Sequence, residues 1–190
     1  MAKTQRDSQF SYFSVTDGHF LEKDQEEARK LGCTGELEVE SEIKTVVKKC
    51  EGKIKESRAV VESQKLKFVG HIERDVLNTI FGINTEGLKP GVHSYGTTSL
   101  GKSGTLTWTA SDLMETDKEY LAFPNCSVNS GLKLTIKNGE EEVAEIELEF
   151  IVSADEYGQF MYRGFESEIG DLKNTWHTKF ESKNMRQASL

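Results

Sequence analysis

Cysteine and proline are both scarce in this chain, with three of the first and two of the second in 190 residues. Cys33, Cys50 and Cys126 are odd in number and far apart, which excludes a disulfide framework and a CxxC metal knuckle, so reduced thiols are expected. No apolar run approaches the roughly 20 residues that a membrane-crossing helix needs. The opening MAKTQRDSQF lacks the apolar core of a signal peptide. Synthesis and retention in the cytosol are therefore expected, with no membrane segment. Basic residues are also in deficit, 24 Lys and Arg against 32 Asp and Glu, giving a net charge of −8. Tight nucleic-acid binding needs a basic face to neutralise phosphates, so the balance argues against it, whereas a surface that must repel DNA would be acidic.

What is present suits one folded domain. Hydrophobic residues make up 36% of the chain and charged residues 29%. The apolar share is below the globular norm but far from that of a disordered chain, which implies a wet surface or much surface reserved for partners. The length suffices to bury a core without disulfides, metals or a partner. The most telling stretch is KLKFVGHIERDVLNTIFG, Lys65 to Gly82. Leu66 and Phe68 alternate with Lys65 and Lys67 at the two-residue period of a half-buried strand. Ile72, Val76, Leu77, Ile80 and Phe81 then follow the 3.6-residue period of a helix face. The spacing predicts one short helix near 73–81, with Asp75 in its first turn and Gly82 as its left-handed cap.

Everything around that helix reads as sheet, so the expected fold is mainly β with one short flanking helix, an α+β, sandwich-like or barrel-like domain. Residues 1–33 hold an aromatic strand candidate, Phe10 to Thr16, then a charged run, Glu22 to Lys30, expected as an exposed arm or a marginal helix. A β core spans 34–165. It begins with the alternating GELEVESEI, and Glu51 and Gly52 are expected to turn the following hairpin. Residues 82–104 carry six glycines and Pro90 with little periodicity, which predicts a long loop. Leu106 and Trp108 resume alternation. Tyr120 to Val128 reads as a strand that Pro124 would place at an edge. Asn138 and Gly139 mark a closing hairpin over 132–152. A three-residue loop through Glu140 sets Leu132 opposite Ile146, Leu134 opposite Ala144 and Lys133 beside Glu145. Residues 166–190 are read as an ordered arm or a frayed tail.

Few residues suggest chemistry. Gly96 to Ser103, GTTSLGKS, matches the phosphate-loop pattern GxxxxGK[ST], but no buried strand precedes it and an alternating, strand-like segment follows it. A soluble nucleotide-binding protein is thus an alternative supported by that motif alone. His19, His71, His93 and His177 show no ligand spacing and no accompanying nucleophile, so neither a metal nor a catalytic role is expected, and no cofactor is implied. A further alternative is a β-sandwich ligand-binding or adhesin module using Trp108 or Trp176 as a ring platform, although both are expected to be core or interface residues. Glu36, Glu38, Glu40 and Glu42 fall on one strand face, a charged wall rather than a catalytic pair. Such a wall is accounted for by plain solvation with offsetting lysines such as Lys65 and Lys67, or by a surface over which a polyanion passes without sticking.

The order of parts resembles the major tail protein, or tail tube protein, of long-tailed bacteriophages. An acidic strand hairpin leads into KLKFVGHIERDVLNTIFG, followed by the glycine-rich loop, SGTLTWTASDLMETDKEYLAFPNCSV and LKLTIKNGEEEVAEIELEFIVSADEYGQFMYRG. The likeness covers about residues 34–165. It implies a non-enzymatic virion subunit, assembled in the host cytoplasm, that polymerises with itself as stacked six-membered rings into a hollow tail tube. It also implies tape measure, tail terminator and baseplate proteins as partners, and DNA that passes through without specific binding. Under this reading the lumen-facing carboxylates are among Glu36, Glu38, Glu40 and Glu42, or among Glu145, Glu147 and Glu149. The loop containing Gly87, Pro90, Gly91, Gly96, Gly101 and Lys102 is expected to contact a neighbouring subunit.

Overall fold

The alternation that begins at Gly35 continues into the longest strand pair of the molecule, β3 (Gly32–Cys50) with β4 (Lys53–Ile72). The expected turn residues Glu51 and Gly52 join them at φ 52° and 79°, the left-handed pair that a two-residue hairpin loop requires. The computed structural model describes residues 10–115, 117–136, 138–139 and 143–187. Its eight strands form one antiparallel sheet, completed by β1 (Tyr12–Glu22), β2 (Arg29–Lys30), β5 (Gly104–Asp112), β6 (Lys118–Val128), β7 (Ile146–Val152) and β8 (Tyr162–Phe165). The strand order is β2-β1-β5-β6-β7-β4-β3, with β8 also paired to β6. The fold is thus mainly β with a flanking helix.

The sheet folds over itself, so that β5 lies across the core from β3 and β4. Phe68 and Trp108 approach with ring centroids 6.3 Å apart, and Trp108 Nε1 donates to Thr34 Oγ1 at 3.0 Å. Between the two halves lie Leu66, Phe68, Leu106, Trp108, Phe123, Leu148, Phe150 and Val152, all buried. Helix α1 (Arg74–Phe81) packs against this core through Val76, Leu77, Ile80 and Phe81, the apolar face that its spacing predicts. Asp75 sits in its first turn, and Gly82 caps it at φ 64°, its N–H directed at the carbonyls of Asn78 and Thr79.

Four expectations are corrected or refined. The first strand runs Tyr12–Glu22 rather than stopping at Thr16. The charged run after it is no helix, since its end pairs as β2 with His19 and Phe20. Pro124 is not on an edge: β6 is central, between β5 on one side and β7 and β8 on the other. It is tolerated because the β5 ladder is irregular between Gly104 and Leu106. On the other side it falls between the segment paired to β8, Glu119–Ala122, and that paired to β7, Cys126–Val128.

The closing hairpin is the largest revision. Only its second arm is a strand, and 131–136 are not strand. β7 offers its edges instead to β4, along Ile146–Val152, and to β6 at Phe150–Val152. The Asn129 N–H on the Glu149 carbonyl occupies the next position. The expected loop residue Glu140 lies outside the described residues, and Lys133 reaches Glu147, at 3.5 Å, rather than Glu145.

The C-terminal segment packs on the sheet. Helices α2 (Glu166–Ile169) and α3 (Lys173–Trp176) precede Phe180, which joins Trp176 in a second apolar cluster against Ala122. Trp176 Nε1 donates to the Leu121 carbonyl at 3.2 Å, which anchors the segment on the sheet.

Candidate functional site: an acidic sheet face

β4 carries Leu66 and Phe68 inward, so by the two-residue period Lys65 and Lys67 point outward. The register sets Glu36 opposite Val69, Glu38 opposite Lys67, Glu40 opposite Lys65 and Glu42 opposite Ser63. On the other flank of β4, Lys67 faces Glu149 and Val69 faces Glu147. Directly paired residues share a face. The two carboxylate sets singled out from sequence are therefore the two margins of one outer surface, β3-β4-β7, with a lysine row between them. Glu145 lies just before β7, its carboxylate over Gly35.

Lys65 Nζ lies 2.7 Å from Glu42 Oε1, and Lys67 Nζ 3.0 Å from Glu147 Oε1. The hydrogen bond from Lys65, helped by one from Ser63, holds the Glu42 carboxyl below the usual carboxylate range. The Lys67 hydrogen bond does the same for Glu147. The same contacts push the two lysines up. The pairs are exposed and contribute little to stability. They offset part of the charge and leave the face acidic, because Glu36, Glu38, Glu40, Glu42, Glu147 and Glu149 outnumber Lys65, Lys67 and Lys133. Such a face repels a polyanion within a Debye length of about 8–10 Å.

The long loop predicted over 82–104 is found between α1 and β5, with one bridge, Asn84 to Ser94. Its stem is docked on its own helix: Lys102 N–H donates to the Thr79 carbonyl at 3.2 Å, and a Cβ at Gly101 would meet the Ile80 carbonyl. Gly87, Gly91 and Gly96 face open space, and Pro90 is exposed. Of the candidate contact residues, Gly101 and Lys102 are thus engaged within the chain, Lys102 Nζ lying 3.4 Å from Glu22 Oε1. GTTSLGKS follows a loop and runs into β5, whereas a phosphate loop opens a helix whose N–H groups cradle the anion. Both tryptophans are buried, so neither is an exposed ring platform.

Two clusters escape sequence reading because their members are remote in the chain. His177, just after α3, stacks between His19 and Tyr120 at 5.3 and 5.2 Å. Its Nε2 lies 2.8 Å from Thr109 Oγ1 and its Nδ1 3.0 Å from Thr107 Oγ1. Burial, reinforced by His19 and opposed by Asp17, pushes the imidazole down to about 4. Glu119 is wholly buried yet accepts from Arg163 Nε at 2.5 Å and from the Tyr12 hydroxyl at 2.6 Å. Burial first and Glu119 second push the Tyr12 phenol up to about 12. His71 and His93 join neither cluster. Among the described residues no group of His, Cys, Asp and Glu has the geometry to hold a metal ion, and no helix is long and apolar enough to cross a membrane.

Comparison with known proteins gives no matching family model and no matching curated relative.

Proposed function

We propose that this chain is a tail tube subunit of a long-tailed bacteriophage, a structural virion protein that polymerises as stacked six-membered rings into a conduit for DNA ejection. The observation that carries the reading is the outer strand β3. Its 19 residues pair on one side with β4, and it ends the sheet order. Among the described residues its other edge has no strand partner; Lys44, Lys48 and Lys49 blunt the distal half, and the rest is a standing template for another chain. In a ring, the neighbouring subunit supplies the missing pairing. The outward face of the proximal part of the same strands, Glu36–Glu42 beside Ser63–Val69, belongs to the acidic surface, which in a tube would line the channel and let DNA slide where a basic wall would hold its phosphates. The resemblance in order of parts over 34–165 supports the same reading. It makes the protein non-enzymatic, with tape measure, terminator and baseplate proteins as further partners.

Concentration of the purified chain followed by negative-stain electron microscopy tests this. Hollow rings or tubes are the expected result, and monodisperse compact particles at every concentration would contradict it.

A further inference from the structure

The distal half of the β3–β4 hairpin, residues 43–61, is exposed on both faces. A two-stranded ribbon with no third strand is marginal in water, yet this one carries Ile43, Val46, Val47, Ile54, Val60 and Val61 in the open. The register sorts them. Ile43 pairs with Val61, Thr45 with Ala59 and Val47 with Ser57, an apolar face that continues the inward row of Leu37 and Val39. The opposite face alternates Lys44, Val46 and Lys48 against Val60, Arg58 and Glu56. Residues 43–61 hold six basic side chains and two acidic ones, a net +4, which leaves −12 on the rest of a chain whose total is −8. The projecting ribbon and the body that bears it are opposite in sign.

The body also offers a receiving surface. β1 and the chain entering β3 meet where the N–H of Leu31, the residue before β3, donates to the Gly18 carbonyl at 2.7 Å. Beyond that point a cleft of about 700 Å³ lies between them, lined by Phe13, Val15, Leu37, Val39, Met161 and Gln64. Gln64 is buried, and its Oε1 has no hydrogen-bond partner among the described residues. A buried acceptor left unpaired costs on the order of 1–3 kcal/mol, so the cleft is suited to an apolar occupant that brings a donor.

We propose that residues 43–61 are an arm that grips a second copy of this chain, its Ile43, Val47 and Val61 seated in that copy's cleft between β1 and β3 and the Thr45 hydroxyl of the same face supplying the donor. Charge decides the geometry. Two arms repel one another, so a symmetric arm-to-arm dimer is disfavoured, whereas arm against body is attractive and leaves each copy with one arm and one cleft still to be used. Such a heterologous contact propagates into rings or filaments. This inference rests on the self-assembly reading above and assigns the contact that reading requires.

The test uses the full chain and two variants at exposed positions, one with Ile43→Ser, Val47→Ser and Val61→Ser in the arm and one with Phe13→Arg and Val39→Arg in the cleft. Near-ultraviolet circular dichroism confirms that each is folded, and sedimentation velocity reads assembly. The wild-type chain is expected to assemble and each variant alone to remain monomeric. An equimolar mixture is expected to stop at dimers, since only one functional arm and one functional cleft meet. An arm variant that assembles like wild type, or a mixture that stays monomeric, overturns the arm alone. A wild-type chain that is monomeric at all concentrations overturns both the arm and the tube reading. Oligomers lost in both variants but never hollow under the microscope keep the arm and remove the tube.

Discussion

The imidazole of His177 stacks on that of His19 at 5.3 Å, tying the C-terminal segment to the first strand. Thr107 and Thr109 take its two nitrogens, so β5 holds the ring edge-on while Tyr120 covers its other face. The charged groups facing it are few: His19 disfavours its protonation and Asp17 favours it.

That arrangement makes stability depend on acid. The folded-state value of His177, about 4, lies below its ordinary 6.5, so the unfolded chain binds the proton more tightly. Stability contributed by the neutral ring is present above about pH 6.5 and falls as pH drops towards 4. The loss is on the order of 2–3 kcal/mol after allowance for partial exposure. Thermal melts from pH 7.5 to 4 should show a steep drop in Tm for wild type and a shallower one for His177→Gln. Parallel slopes would disprove the assignment.

Glu119 has one cationic partner given by the structure, Arg163, whose own side chain is half exposed. Arg163→Met should leave the carboxylate buried with only the Tyr12 hydroxyl, at a cost of about 2–4 kcal/mol. Glu119→Gln combined with Arg163→Met should restore part of that loss. Urea denaturation of Arg163→Met, Glu119→Gln and the double variant measures the coupling, and additive effects would show that the pair is not one unit.

Gly82 caps α1 at φ 64°, and a Cβ there would sit 2.3 Å from the Leu100 carbonyl oxygen. Gly87, at φ 70°, would meet nothing within 4 Å. Gly82→Ala should therefore cost about 2–3 kcal/mol, and Gly87→Ala only the backbone strain of about 1 kcal/mol. Equal losses in chemical denaturation would mean that the loop stem is not docked on the helix.

Replacing Glu36, Glu38, Glu40 and Glu42 by lysine should leave tube assembly intact and impair DNA ejection. The same should hold for Glu147 and Glu149, because both sets border one face. Normal ejection from particles carrying either set would remove the channel role of this surface. Deleting the open middle of the 82–104 loop should weaken assembly without unfolding the subunit. Unchanged tubes would exclude an inter-subunit contact there.

Helix α1 and the glutamate row were legible because each is a local period written in adjacent residues. The union of the two carboxylate sets was not, since it depends on β7 pairing with β4 across a long stretch of chain. That pairing also defeated the expected closing hairpin: once Ile146–Val152 had given its edges to β4 and β6, the segment around Leu134 had no edge to join. Pro124 misled in the same way, because a gap between two partners in a central strand looks, in sequence, like an edge. The His177 stack and the buried Glu119 cluster join residues from opposite ends of the chain and carry no periodic signal.

Electron cryomicroscopy of the concentrated wild-type chain reads both assembly and orientation in one reconstruction. Hollow tubes are expected, their channel lined by the β3-β4-β7 face, with Glu36, Glu38, Glu40, Glu42, Glu147 and Glu149 towards the axis. Tubes lined by the face that carries α3 and Phe180, or a chain that stays monomeric at every concentration, would contradict this expectation.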